Sequence, residues 1–222
     1  MGINERRARE KEELRQSILN AASELILEEG YQSLSIRKLA ERIEYSPSTI
    51  YLYFKDKADI LATICQEAFV GLSEKLDRIH SEEPDPRAAL EQGLRCYMEW
   101  GLQHPNHYMV TFGTPWPAPI ACDDAGTPTS SERAGLDCFA KLVAAVQRCI
   151  DAGQIPPGNT GLYAQVAWTS IHGLTSSLIV MKDDPHFPWA PREQLLNGMV
   201  NNVMAGLEAG APARPTAELA HA

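Results

Sequence analysis

Apolar residues recur every three or four positions along most of this 222-residue chain, the spacing of one helical face. Leu14, Ile18, Ala21, Ala22 and Leu25 predict a helix over residues 12–29, which Gly30 closes. Ile36, Leu39, Ala40 and Ile43 predict a short helix that Ser35 can cap. Ser46-Pro47 is another start signal, because proline at the first helical position gives up only an N–H that has no partner there. Asp56 can cap a long helix over 57–80 with the stripe Leu61, Ile64, Ala68, Leu72, Leu76 and Ile79. Asp85-Pro86 opens a helix to about His104 carrying Leu90, Leu94, Tyr97, Met98 and Trp100. His104-Pro105 ends it, and a short helix with Tyr108, Met109 and Phe112 follows. Ser130 or Ser131 starts a helix with Leu136, Phe139, Leu142, Val143, Val146 and Ile150 that ends near Gly153. The last two helices are expected at 160–182 and 191–209. Residues 113–128 are rich in proline and glycine and read as an irregular loop, and residues 210–222 read as a disordered tail. No stretch alternates with a period of two and none repeats. The predicted fold is all-α, with an N-terminal three-helix helix-turn-helix domain and a C-terminal helical domain.

Helix 160–182 is apolar on two sides. One stripe is Ala167, Ile171, Leu174, Leu178 and Met181; the other is Trp168, His172, Thr175 and Ile179. Helix 191–209 carries Leu196, Val200, Val203 and Leu207. A helix with two apolar sides needs two neighbours, one from its own domain and one that a second copy of the chain can supply.

Composition narrows the class. Apolar residues make up 44% and charged residues 22%, as in folded globular proteins. No apolar run approaches the roughly 18 residues that span a bilayer, and the charged N-terminus has no signal-peptide core, so no membrane partner and a cytoplasmic location are expected. The five cysteines, Cys65, Cys96, Cys122, Cys138 and Cys149, include no C-x-x-C pair and are expected to be buried thiols. There is no nucleophile motif, phosphate loop or paired metal-ligand spacing. His104-Pro105-Asn106-His107 is isolated and interrupted by proline. No enzymatic activity, metal or cofactor is predicted.

The net charge of −9 divides unevenly. Residues 1–57 hold ten basic and ten acidic side chains, so the whole −9 belongs to residues 58–222. A neutral head binds nucleic acid when its cations gather on one face, and an acidic body helps orient it. Residues 1–13 are charged, lack an apolar face and should fray. Arg6, Arg7 and Arg9 suit either a minor-groove arm or a solvated helix extension with i,i+4 pairs such as Glu5 with Arg9 and Arg9 with Glu13.

The helix starting at Pro47 anchors itself by one apolar pair, Ile50 and Phe54. Its other residues include Ser48, Thr49, Tyr51 and Tyr53, followed by Lys55 and Lys57. Hydroxyls that can donate to phosphate or base edges, beside lysines that neutralise phosphate, suit a major groove; an ordinary surface helix hairpin is the plainer alternative.

Residues 14–69 resemble the DNA-binding domain of the TetR family of bacterial transcription regulators. The resemblance rests on Ile18, Ala21, Ala22 and Leu25 before Gly30-Tyr31, on Ile36 with Leu39-Ala40, and on Ser46 through Thr49-Ile50-Tyr51. Phe54, Lys57 and Leu61 complete it. The family usually has glycine where this chain has Glu44, and a small aliphatic where it has Tyr45. A positive φ at residue 44 would cost Glu44 on the order of 1 kcal/mol.

By position, the resemblance implies base contacts from Arg37, Ser48, Thr49 and Tyr51. It implies phosphate contacts from Tyr53 and Lys57, with Ser35 helping at a helix N-terminus and Pro47 and Lys55 on the same surface. It also implies a homodimer formed by the last two helices, here Leu174, Leu178 and Met181 with Leu196, Val200, Val203 and Leu207. The subunit core is the alternative place for these residues. The partners expected are a palindromic double-stranded operator and a small apolar or aromatic effector. Candidate lining residues for the effector are Trp100, Tyr108, Phe112, Trp116, Phe139, Trp168 and His172, and the core is again the alternative. Trp168 and His172 with Gly173 resemble the Trp-x3-His-Gly signature of one C-terminal subtype.

The expected division is a charged arm at 1–13, a DNA-binding domain at 14–56, an effector and dimerisation domain at 57–209 and the tail. The function implied is a ligand-released repressor. A DNA-binding regulator that answers to a protein partner, a metal or thiol oxidation is the second reading.

Overall fold

The computed structural model describes residues 2–113, 130–182 and 184–210, and every regular element among them is helical. In chain order these are α1 (Ile3–Glu29), a 3-10 turn (Tyr31–Ser33), α2 (Ile36–Arg42), α3 (Pro47–Ile50), α4 (Lys57–Glu82) and α5 (Pro86–Gln103). They continue with α6 (Pro105–Gly113), α7 (Ser130–Asp151), α8 (Thr160–Val180) and α9 (Arg192–Ala209). The expected loop over 113–128 and the tail lie almost wholly outside the described residues. By their contacts the residues divide into two compact units, one drawn from 1–76 and 99–140, the other from 77–98 and 141–222.

The first unit is built on α1. Ile18, Leu19, Ala22, Leu25 and Ile26 bury one face against Leu39 and Ala40 of α2, Ile50 and Phe54, and Ile60, Leu61, Ile64 and Cys65 of α4. α1 begins at Ile3, nine residues before the start that its apolar face marks. Charge supports those turns. The Gly2 N–H donates to Glu5 at 2.9 Å, Arg6 pairs with Glu10 at 3.4 Å and Arg9 with Glu13 at 3.6 Å. Arg15 also pairs with Glu67 of α4. Residues 3–13 are therefore the first turns of α1. The pair Arg9–Glu13 forms as read, whereas Glu5 is used as a cap.

Starts and stops follow local chemistry. Asp56 accepts from the N–H groups of Ala58 and Asp59, both at 2.9 Å, and Asp59 accepts from the Lys55 N–H at 2.9 Å, which secures the start of α4. Asp85 caps α5 through the Ala88 N–H at 3.1 Å, and Asn159 caps α8 through the Leu162 N–H at 3.0 Å. α7 ends where Gly153 takes φ +71°. The Gly153 N–H reaches the Ile150 carbonyl at 2.9 Å and the Gln154 N–H reaches the Cys149 carbonyl at 2.9 Å, the double bond of a Schellman stop.

In the second unit Ala89, Leu90, Leu94 and Met98 are buried, as are Val146 and Cys149, Ala164, Ala167 and Ile171, and Leu196, Met204 and Leu207. Surface ion pairs join Arg87 to Glu91 at 2.7 Å and to Glu208 at 2.6 Å, Arg95 to Glu193, and Lys141 to Asp77. Such exposed pairs add at most about 1 kcal/mol each.

Candidate DNA-binding surface and effector residues

α2 ends in a left-handed turn at a non-glycine residue. Glu44 has φ +59°, its N–H reaches the Glu41 carbonyl at 3.4 Å, and the Tyr45 N–H reaches the Ala40 carbonyl at 3.0 Å. This is the same stop that Gly153 makes for α7, carried out by a residue with a Cβ. α3 then starts with Ser46, whose Oγ accepts from the Thr49 N–H at 3.2 Å and shares a hydrogen bond with Thr49 Oγ1 at 2.9 Å. Pro47 is at the first helical position.

α3 is only four residues long, and tight turns prolong it. The N–H groups of Tyr53 and Phe54 both reach the Ile50 carbonyl, at 2.9 and 3.0 Å. Ile50 and Phe54 are buried, so Ser48, Tyr51 (58% exposed), Leu52 (79% exposed) and Lys55 are left on the outside.

The structure places most of the predicted DNA-contact residues at the surface, several already engaged. Ser35 Oγ caps α2 by accepting from the Lys38 N–H at 3.2 Å. Arg37 is exposed and pairs with Glu41 at 3.0 Å. Thr49 is half-buried, its hydroxyl turned to Ser46. Tyr53 is half-buried and packs on the core, with Lys11 Nζ 6.0 Å from its ring centroid. Lys57 Nζ donates to the Tyr31 and Gln32 carbonyls, both at 3.3 Å, and lies 4.7 Å from the Tyr31 ring centroid. Two of its three N–H bonds are thereby used. Leu52, which is not among the predicted contacts, and Tyr45 of the preceding turn are also exposed, at 79% and 51%. For Leu52 the sequence carries a signal, since a residue two places from each member of the buried pair Ile50 and Phe54 faces away from the core.

The candidate effector residues belong to both units. In the first, Trp100 and Tyr108 are buried and Phe112 and Phe139 half-buried. The rings of Tyr108 and Phe112 are 4.9 Å apart, those of Trp100 and Tyr108 6.1 Å, and Phe69, which the sequence reading did not single out, is 5.8 Å from Phe112. In the second, Trp168 and His172 are half-buried with rings 5.1 Å apart. Trp116 and Cys122 lie outside the described residues.

Tyr97 gives the Trp168–His172 pair its polarity. Trp168 Nε1–H donates to Tyr97 Oη at 3.2 Å, and Tyr97 Oη lies 3.0 Å from His172 Nδ1. The indole can only donate, so the Tyr97 hydroxyl accepts from it, and the same oxygen is within hydrogen-bond reach of the imidazole. His172 Nε2 lies 3.4 Å from Ser176 Oγ. Burial pulls the pKa of His172 down, which favours its neutral ring. Burial also pushes the thiol of Cys65 up to about 12 and that of Cys149 up to about 11, which makes both poor thiolates. Among the described residues no three His, Cys, Asp or Glu side chains gather as a metal site, and no described helix is long and apolar enough to cross a membrane.

The candidate pairing residues divide by exposure. Leu196, Val200, Val203 and Leu207 are buried within the single chain, and Leu174, Leu178 and Met181 are half-buried. The first four already fill the subunit core, so they offer little to a partner. The apolar surface left open on α8 is instead Leu162 (45% exposed), Val166 (53%) and Val180. Leu162 and Val166 border a groove of about 350 Å³ whose other wall includes Met199, Asn202 and Gly206 of α9.

Residues 18–64 match the family of bacterial regulatory proteins described as the tetR family. Residues 90–203, half of the chain, match the tetracyclin repressor-like C-terminal domain. The fatty acid metabolism regulator protein of Bacillus subtilis (strain 168) is 34% identical over 73 residues, 33% of this chain. The match spans only 38% of that relative's length. Among solved structures, the transcriptional regulator FadR from Bacillus subtilis in complex with stearoyl-CoA has a TM-score of 0.69 at 22% identity, over 88% of this chain and 98% of that one. FadR from Bacillus halodurans has 0.68 at 20%, over 90% and 97%, and PfmR from Thermus thermophilus has 0.68 at 19%, over 86% and 98%. At such identities these three show a shared fold. The two domain matches, in the order and position that the helix-turn-helix geometry requires, establish that the chain belongs to the TetR family of bacterial regulatory proteins.

Proposed function

We propose that this protein is a cytoplasmic, homodimeric repressor that grips a palindromic operator with two copies of the α2–α3 surface and lets go when an effector binds. The observation that carries the reading is the outward face of the α3 segment. A capped start and the buried pair Ile50 and Phe54 hold Ser48, Tyr51 and Lys55 outward, with Arg37 and Lys57 alongside. Hydroxyls and cations presented from a short rigid helix are the groups that contact base edges and phosphates. One such helix touches few base pairs, and two heads about 34 Å apart read successive major grooves. The functional boundary is placed at residue 57, with DNA binding before it and effector binding and pairing after it.

The effector is an acyl-CoA or another molecule with a long apolar part. Supporting this are the partial sequence match to a fatty acid metabolism regulator and the fold shared with FadR crystallised with stearoyl-CoA. The aromatic residues Trp100, Tyr108, Phe112, Phe139 and Trp168 are chemically suited to such a chain. Trp168, His172 and Gly173 are read as the Trp-x3-His-Gly signature of one C-terminal subtype. Release requires the effector to prefer a state whose heads are wrongly spaced, and DNA must then weaken effector binding by the same factor.

The experiment has two stages. Selection from a random duplex pool should yield a palindrome bound by a dimer, and stearoyl-CoA titrated onto that complex should free the DNA. A protein that selects no sequence would refute the DNA-binding reading. A selected palindrome that no acyl-CoA displaces would refute the effector alone.

A further inference from the structure

We infer that Leu52 reads a thymine methyl group in the major groove of the operator, an assignment that rests on the DNA-binding reading above. Leu52 is 79% exposed, more than any other large apolar residue among those described. A lone exposed leucine needs no explanation, but this one has particular company. Ser48 before it and Lys55 after it are exposed on the same short segment, whose apolar pair Ile50 and Phe54 is buried. Tyr51 beside it is 58% exposed and Tyr45 in the preceding turn is 51% exposed. The tip of an otherwise polar head thus presents apolar surface where hydroxyls and cations are set to meet DNA. The Leu52 N–H reaches the Thr49 carbonyl at 3.1 Å, which fixes the backbone from which the side chain projects.

An isobutyl group makes no hydrogen bond and gains nothing from a phosphate. On the major-groove edges of the four base pairs the apolar group is the C5-methyl of thymine. Leu52 therefore adds discrimination that the hydroxyls and lysines around it cannot supply, and it favours thymine over cytosine at one position in each half-site.

The test uses the full-length protein and the duplex recovered from the random pool, with each thymine replaced in turn by deoxyuridine, which removes the methyl and keeps the pairing. One thymine per half-site should respond. Burying one such carbon is worth about a fourfold change in affinity, so replacing both symmetric thymines should weaken binding about fifteenfold. Leu52→Ala should lose affinity on the thymine duplex and no longer distinguish it from the deoxyuridine duplex. Its melting temperature should match wild type, since an exposed side chain contributes little to the core. Leu52→Met, which keeps apolar reach, should retain most of the methyl preference. The inference is overturned if no single thymine methyl matters to the wild-type protein, or if Leu52→Ala remains as methyl-sensitive as wild type while still binding its operator. Operator binding that survives Leu52→Ala unchanged, together with loss of self-association, would reassign the side chain to a protein contact. Failure of the wild-type protein to bind any duplex would overturn the reading beneath it as well.

Discussion

Glu44 works in a backbone region where its Cβ is a handicap: at φ +59° an L-residue gives up on the order of 1 kcal/mol that glycine keeps. Gly153 makes the same stop at φ +71° without that loss. Glu44→Gly should therefore stabilise the first unit by up to about 1 kcal/mol, raising its melting temperature by about 2–4 °C; a lower melting temperature would mean that the glutamate side chain has a compensating contact. The second residue-scale prediction concerns His172, whose pKa burial holds below the ordinary value of 6.5. Between the two values the unfolded chain binds the extra proton and the folded chain does not, so stability falls as pH drops through 6.5 toward the folded-state pKa. The melting temperature of wild type should fall between about pH 7.5 and about pH 5.5, and His172→Gln should fall less over the same interval. Some acid sensitivity will remain in the variant, because burial lowers His80, His104 and His107 too.

Helix ends were the most legible feature of the sequence, because each is decided by one or two side chains acting on the nearest backbone. Ser35, Ser46-Pro47, Asp56 and Asp85 were all readable as starts, and the structure shows each side chain accepting the expected N–H. The start of α1 was misplaced because periodicity follows the apolar face, whereas residues 3–13 owe their helix to ion pairs on a solvated surface. The short length of α3 was equally hidden, since Tyr51 to Phe54 keep a helical spacing while their backbone tightens into turns. These ends carry function as well as stability. Ser46→Ala removes the acceptor for the Thr49 N–H and should cost about 1 kcal/mol while weakening every DNA complex, because α3 loses its fixed start. Lys57 was readable as a cation near phosphate, but its bonds to the Tyr31 and Gln32 carbonyls were not. Lys57→Ala should lower affinity for all sequences alike and reduce the salt slope by about two per dimer, close to one per subunit. An unchanged slope in an electrophoretic or fluorescence titration would place its ammonium away from the phosphates.

At the scale of the whole molecule, charge and self-association act together. The head is neutral and all of the −9 follows residue 57, so the body is pushed from a duplex while the head is tolerated by it. In the proposed dimer, binding depends on two heads held at one spacing, which makes the pairing surface the quantity to test. Periodicity can identify an apolar face but not the molecule that covers it. It therefore assigned Leu196, Val200, Val203 and Leu207 to a partner, and the folded chain covers all four itself. Of the exposed apolar residues Leu162, Val166 and Val180 on α8, the first two border a groove shared with α9. A carboxylate placed at the open side of that groove keeps its water in the monomer, but would be desolvated without a partner in a dimer. Val166→Glu should thus leave helicity and the unfolding transition of dilute protein unchanged, shift the sedimenting species to a monomer and abolish operator binding. Leu196→Ala should do the opposite, costing about 2–5 kcal/mol of stability without selectively dissociating the folded protein. If Val166→Glu still sediments as a dimer, pairing uses another face, and the half-buried Leu174, Leu178 and Met181 become the residues to substitute next.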